Sequence, residues 1–321
     1  MPSIVTHHYF SKDVYDKLDN SIKDKIYLDI YHIFAQSFDN FYYYKLTNPF
    51  SSYGKEIRKL GEIGQRTNIN LYYKNIIKYI DENNLRDNKD VLSYLYGSIL
   101  HYVLDKNCHP LVIYTTGMSS VDNKYRGGHE KMEVSFDAYM YNKKTGKYLY
   151  KAKLGDMLLP RVKFSNELKN CVTYTFKNTY KVDNIGNVYN KSVNSGNFLL
   201  KYFVTDHIGF KKFIYSIVDK FNRYGRMYSN LSFHVKNIDT SLFNLDHSEW
   251  CNPIDKKLVS TLSFEDLYNE SIKEGVYKIS SINDYFNNKI SLDKVLEIIG
   301  NNSHVTGVDF KDKRKPIYFK Y

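Results

Sequence analysis

Three side chains able to hold a metal recur at four-residue intervals within residues 96–110: His101, Asp105 and His109. On an α-helix that spacing stacks them along one face. A second segment, residues 127–133, carries His129 and Glu133 at the same i, i+4 separation. Zinc takes neutral imidazole nitrogen and carboxylate oxygen, and mixed His/Asp/Glu ligation without paired cysteines points away from a structural zinc. A catalytic site keeps one position open for water, whose pKa then falls to about 7. Carboxylates can also bridge two ions about 3.5–4 Å apart, which clamps the attacking and leaving oxygens of a phosphoester. Any one such pair arises often by chance on a helix surface. All five together predict a metal site and make the chain a hydrolase candidate.

The elements that must carry these residues are predicted to be helices. Val14, Leu18, Ile22, Ile26, Ile30 and Phe34 step by four, and residues 69–80 and 91–104 show helical apolar spacing. A helix over residues 128–141 would end at Gly146, which can adopt the left-handed cap conformation. Further helices are expected over 196–204, 208–223, 263–279 and 291–299. Ser263 with Asp266 resembles a capping box with Asp in place of Glu or Gln. Residues 117–128 form a turn-rich loop in which Lys124 and Arg126 are solvated charges or phosphate contacts. Residues 147–200 read as an insertion, with a Thr- and Tyr-rich strand over 171–181 and a loop over 184–197. No repeat and no low-complexity linker divides the chain, so one mainly α-helical domain over 1–321 is expected.

Lys and Arg number 46 against 35 Asp and Glu, a net charge of +11 that favours an anionic partner: phosphate esters, anionic headgroups or nucleic acid. No block of five like charges forms a basic tail. The 32 tyrosines are explained by AT-rich codon usage or by a stacking or interfacial surface. Cys108, Cys171 and Cys251 are too few and too widely spaced for a disulfide framework, and fit a reducing cytoplasm. Cys108 is expected to pack its helix rather than touch metal. There is no signal-peptide pattern at the start and no run of 18 apolar residues, so a cytoplasmic protein without a membrane span is expected.

Residues 96–110 (YGSILHYVLDKNCHP) and 128–139 (GHEKMEVSFDAY) resemble the zinc-dependent phospholipase C family, a relative of the single-strand-specific zinc nucleases. The resemblance continues through residues 6–10 (THHYF), 34–43 (FAQSFDNFYY), 245–253 and 300–307, the last two being similar to short leaderless members. It implies an all-α multi-helix bundle with a polynuclear cleft of two or three zinc ions. One zinc would be bound by Asp39, His101 and Asp105, and a second by His109, His129 and Glu133. A third would be bound by His7, with Asp105 bridging it to the first, and by the terminal amine and carbonyl of Pro2 after loss of Met1. His8 takes the place of His7 if the alignment shifts by one. A metal-bound hydroxide would attack phosphorus, with Asp39 orienting that water or acting as general base.

One departure matters. The family places a further histidine ligand of the first zinc where this chain has residues 60–68, and here Gln65 or Arg66 stands in that place. Glutamine ligates weakly through its carbonyl oxygen. Arginine cannot ligate, although its fork suits phosphate. Three readings follow: a hydrolase of a phospholipid or soluble phosphodiester, with peripheral membrane contact; a catalytically weakened zinc protein that holds a phosphorylated ligand or membrane surface; and, behind these, a nuclease-like phosphodiesterase. Oligomeric state is not specified by the sequence. Asp137 could orient a ligand histidine or be a plain helix-face carboxylate. His247 is expected to be structural, as are His32, His207, His234 and His304 where they are not simply exposed. Tyr42, Tyr43 and Tyr44 are core or cleft-wall residues.

Overall fold

The computed structural model describes residues 4–48, 50–117, 127–221 and 227–320. They form α1 (Ile4–Lys17), α2 (Asn20–Lys23), α3 (Leu28–Phe34), α4 (Ser52–Gln65), α5 (Ile69–Glu82), α6 (Lys89–Thr116), α7 (Gly128–Thr145), α8 (Leu154–Leu158), α9 (Asn166–Tyr180), α10 (Ile185–Leu199), α11 (Phe210–Phe221), α12 (Phe264–Phe286) and α13 (Leu292–Ile299). The architecture is mainly all-α, as expected. Among the described residues the sheet is one small antiparallel pair, β1 (Trp250–Asn252) and β2 (Asp255–Ser260), with Trp250 opposite Ser260. The strand expected at 171–181 is helical instead, and the pair at 250–260 was not among the sequence expectations.

The axis of the fold is α6. Asn88 caps it by accepting from the Val91 N–H, and its 28 residues are buried on nearly every side. A helix apolar all round can be stable only when other helices surround it. Helices α1, α3, α5, α7, α9 and α12 do so. The crossing with α3 requires glycine: a Cβ on Gly97 would stand 2.4 Å from the Tyr31 carbonyl oxygen. One apolar core runs from Ile4 to Ile299.

Two predicted ends hold. Gly146 closes α7 at φ +67°, and Ser263 with Asp266 forms a full capping box at the start of α12. Three local readings are corrected. The four-residue ladder from Val14 to Phe34 is three helices, although all six of its apolar residues are buried. Asp19 is extended at the break, as expected for a residue type that favours caps and turns. Residues 171–181 fall in α9, whose buried positions Leu168, Cys171, Val172, Thr175 and Phe176 follow helical spacing beneath the alternation. Residues 184–197 fall in α10, where Gly186 approaches the Lys169 carbonyl so closely that a Cβ would stand 2.2 Å from it.

Helix α11 is the exception in polarity. Phe210, Phe213, Ile214, Ile217, Val218 and Phe221 form a stripe at helical spacing, and all six are exposed. The buried position is Asp219, which accepts from the backbone N–H groups of Tyr228 at 2.6 Å and Ser229 at 2.9 Å. Among the described residues no helix is long and apolar enough to cross a membrane.

Candidate metal centre

Helix α6 presents His101, Asp105 and His109 one turn apart, as their spacing requires. His101 Nε2 lies 3.2 Å from Asp105 Oδ2, and His109 Nδ1 lies 3.9 Å from the same oxygen. From α1, His7 Nε2 reaches Asp105 Oδ1 at 3.1 Å. Asp105 thus faces His7 with one oxygen and His101 with the other, and one ligand atom from each of the three residues lies within 4.8 Å of the others. Helix α7 completes a second group. His129 Nε2 is 2.9 Å and His109 Nε2 3.8 Å from Glu133 Oε1, again within 4.8 Å of one another. His8, the alternative to His7, turns away and packs on His32 with ring centroids 4.8 Å apart.

Asp39 sits on a 3₁₀ turn, Ser37–Tyr43, between α3 and α4. The Tyr189 hydroxyl holds this turn by donating to the Ser37 carbonyl at 2.7 Å, and Ser192 Oγ donates to the Asn40 carbonyl. Helix α4 lies against it through Gly61 and Gly64, where a Cβ would meet the rings of Tyr42 and Phe38. Gln65 therefore arrives beside Asp39, and its Nε2 donates to Asp39 Oδ1 at 2.8 Å. Arg66, the other candidate for that place, points to solvent and pairs with Glu62 at 3.6 Å. Tyr43 and Tyr44 are core residues.

Asp137 orients the chain next to a candidate ligand rather than the ligand itself. Its Oδ1 accepts from both the backbone N–H and the hydroxyl of Thr6, each at 2.8 Å, which anchors the start of α1 and so His7. Pro2, Lys124 and Arg126 lie outside the described residues. Cys108 lines a small cavity with His7, Asp105, His109 and Glu133; burial pushes its thiol up, and the thiol stays protonated.

The electrostatics are those of a site built for cations. Burial opposes ionisation of Asp105, but the imidazoles of His109, His101 and His7 outweigh it and hold the carboxyl well below the usual range. Asp39, equally buried and beside the Asp105 charge, is pushed well up. Of the two neighbouring carboxyls, Asp105 ionises the more readily and Asp39 is the stronger base. Burial would lower His109, yet Asp105 and Glu133 raise it to about 9. Burial holds His101 neutral. Protons here occupy places that a metal would take.

The donor atoms fit such an ion. His7 Nδ1, Asp39 Oδ2, both nitrogens of His101 and Asp105 Oδ2 are buried without a hydrogen-bond partner among the described residues. Each unsatisfied buried group costs about 1–3 kcal/mol, so this concentration is unfavourable unless something binds there. A cavity of about 20 Å³ lies among His7, Asp105, His109 and Glu133, room on the order of one water or ion. The donors are imidazole nitrogens and carboxylate oxygens, the set zinc accepts. His109 Nδ1–H donates to the His304 carbonyl at 2.8 Å, which fixes the tautomer that frees Nε2 towards Glu133.

Of the two readings of His304, structural or exposed, the structure excludes exposure. It is 1% exposed, with its ring centroid 5.5 Å from that of His101. It has no helical partner in sequence, and its neighbourhood arises from long-range packing. His247 is exposed near Thr261 and Asp266. His207 and His234 bond the backbone carbonyls of Tyr150 and Asp206.

The model of the family described as zinc dependent phospholipase C matches residues 6–216. That span contains Asp39 and the six residues of the two donor groups, and it stops before His304. No curated protein and no solved structure matches the chain.

Proposed function

The chain belongs to the zinc-dependent phospholipase C family, and from that premise we propose that it is a single-domain phosphoric diester hydrolase acting on the headgroup linkage of a phospholipid. The observation that carries this reading is the convergence of His7, His101 and Asp105 with His109, His129 and Glu133, two donor triplets on three packed helices. In this reading Asp39, His101 and Asp105 would hold one zinc, His109, His129 and Glu133 a second, and His7 with Asp105 a third. Zinc, when bound, supplies a Lewis acid for the phosphoryl oxygen and lowers the pKa of water.

The chain's own residues do the rest. Gln65 holds one oxygen of Asp39 and leaves Oδ2 open, so Asp39 is aimed to orient the attacking water and accept its proton. Asp137 keeps His7 in reach of Asp105. His129 is more open than the other five donors, with its side chain 27% exposed, and marks the side from which substrate approaches.

The stripe on α11 gives this reading a membrane contact. Phe198, Tyr202, Phe203 and Ile208 extend the exposed apolar surface beside it. An amphipathic helix with its apolar face outward lies in a lipid interface, and the +11 net charge favours anionic headgroups. The unpaired cysteines suit a reducing cytoplasm.

A second reading has one observation in its favour. The amide of Gln65 bonds Asp39 where a nitrogen ligand is expected, which suits a catalytically weakened protein that holds a phosphorylated ligand. Elemental analysis and turnover separate the two. Near three zinc ions per chain, with phosphatidylcholine hydrolysis lost in His129→Ala, supports the hydrolase. Two or fewer with no turnover supports the holding protein. Cleavage of single-stranded DNA but not of phosphatidylcholine would identify the nuclease-like activity instead.

A further inference from the structure

We infer that His304, in the loop after α13, is itself a ligand of the metal cluster, supplying beside His101 and Asp105 the imidazole that α4 does not provide. This rests on the zinc reading of the site and adds to it a residue outside the matched span.

Neither nitrogen of the His304 ring has a hydrogen-bond partner among the described residues, although the ring is almost completely buried. A buried imidazole with both nitrogens unsatisfied is unfavourable as mere packing, for which a phenyl ring would serve better. Its neighbours are those of the cluster. The ring lies against His101, Tyr102 and Phe38, and the charged groups that act on it are Asp105, His109 and His7.

The backbone of His304 is pinned on both sides. Its N–H donates to the Gln65 carbonyl at 3.3 Å, and its carbonyl accepts from His109 Nδ1. The residue therefore spans from the segment lacking a histidine to a ligand of the second triplet. Its loop is docked by design of α6. Pro110 has no N–H, so the Lys106 carbonyl is left without its usual helical partner. Gly307, at φ +69°, nests there so closely that a Cβ would stand 2.6 Å from that oxygen. The Tyr102 hydroxyl accepts from the Asn302 N–H at 3.0 Å, and Asn302 Nδ2 closes the loop onto the Gly307 carbonyl at 2.9 Å. These contacts deliver the ring to the cluster without any local sequence signal.

The test uses the full chain loaded with zinc, and two variants. His304→Phe keeps the ring and removes both nitrogens; His304→Ala removes the ring. Each keeps the backbone carbonyl that orients His109. Both should lose one equivalent of zinc after dialysis, or hold the weakest ion at least about tenfold less tightly in chelator competition. Unchanged zinc content and affinity in both would overturn the inference. If neither variant folds, the wild-type protein decides by NMR after exchange of zinc for an NMR-active cadmium isotope. Couplings to five histidines are expected: His7, His101, His109, His129 and His304. Couplings to four, without His304, reject this inference alone, whereas no couplings reject the metal reading itself.

Discussion

Replacing Gly64 by alanine should disturb the site where α4 packs against the turn that carries Asp39. A Cβ there would lie 2.1 Å from Phe38 Cδ1, and ordinary contact needs 3.4 Å, so the two elements must separate by about 1.3 Å. Phe38 cannot yield by turning. It is 1% exposed and backed by the rings of Tyr72, Phe176, Tyr180 and His304, at 5.1–6.1 Å between centroids. Overpacking of this kind costs about 1–3 kcal/mol, and the backing puts it at the upper end. Alanine recovers roughly 1 kcal/mol through its better helix propensity, leaving a net loss of about 2 kcal/mol. For a chain of this size that lowers Tm by roughly 3 °C. The displacement should also break the 2.8 Å contact between Gln65 Nε2 and Asp39 Oδ1. Misplacement on the order of 1 Å can cost about a hundredfold in rate. Differential scanning calorimetry and zinc analysis read both effects. A Gly64→Ala protein with wild-type Tm and full zinc content would refute the argument that α4 rigidly positions Asp39.

Three further outcomes are expected. Phe213→Glu with Ile217→Glu should abolish sedimentation with anionic phospholipid vesicles and leave Tm unchanged, because both side chains are exposed; retained vesicle binding would remove α11 from the membrane contact. Burial lowers His32 to about 3 and His8 to about 4 from 6.5, so both are neutral in the fold and protonate more readily when unfolded. The stability they confer is complete above pH 6.5 and is lost as pH falls towards those values, at up to about 1.4 kcal/mol per pH unit for each. Urea titrations of wild type and His32→Asn should therefore diverge in slope between pH 6 and pH 4. Asp137→Leu removes the acceptor of two buried Thr6 donors and should cost about 2–4 kcal/mol, with loss of the zinc proposed at His7; an unaffected zinc content would separate the α1 anchor from the site.

The helical half of the site was legible because a helix turns spacing into a face: His101, Asp105 and His109 could be placed together from their numbers alone. The meeting of α1 with α6 was not legible in that way, and His7 entered only through family resemblance. His304 carried no signal, since its partners arise from Gly307 nesting at the Lys106 carbonyl. In α9 and α10, Thr175, Ser192 and Gly196 stand at buried positions, so polar or small residues masked the apolar period. For α11 the period was readable but its direction was not. Periodicity marks an apolar face without saying whether protein covers it.

The docking of residues 300–307 onto α6 has a consequence for biosynthesis. His7 leaves the ribosome long before His304, yet both stand near the same carboxylate, Asp105. Contacts this distant in sequence form late, after the chain between them has been synthesised and largely collapsed. A nascent chain with α1, α6 and α7 already packed still lacks the segment whose carbonyl orients His109. The finished geometry of the cluster thus waits for residues 300–307, and a chain stalled or clipped before Gly300 would keep most of its core while losing the segment that orients His109.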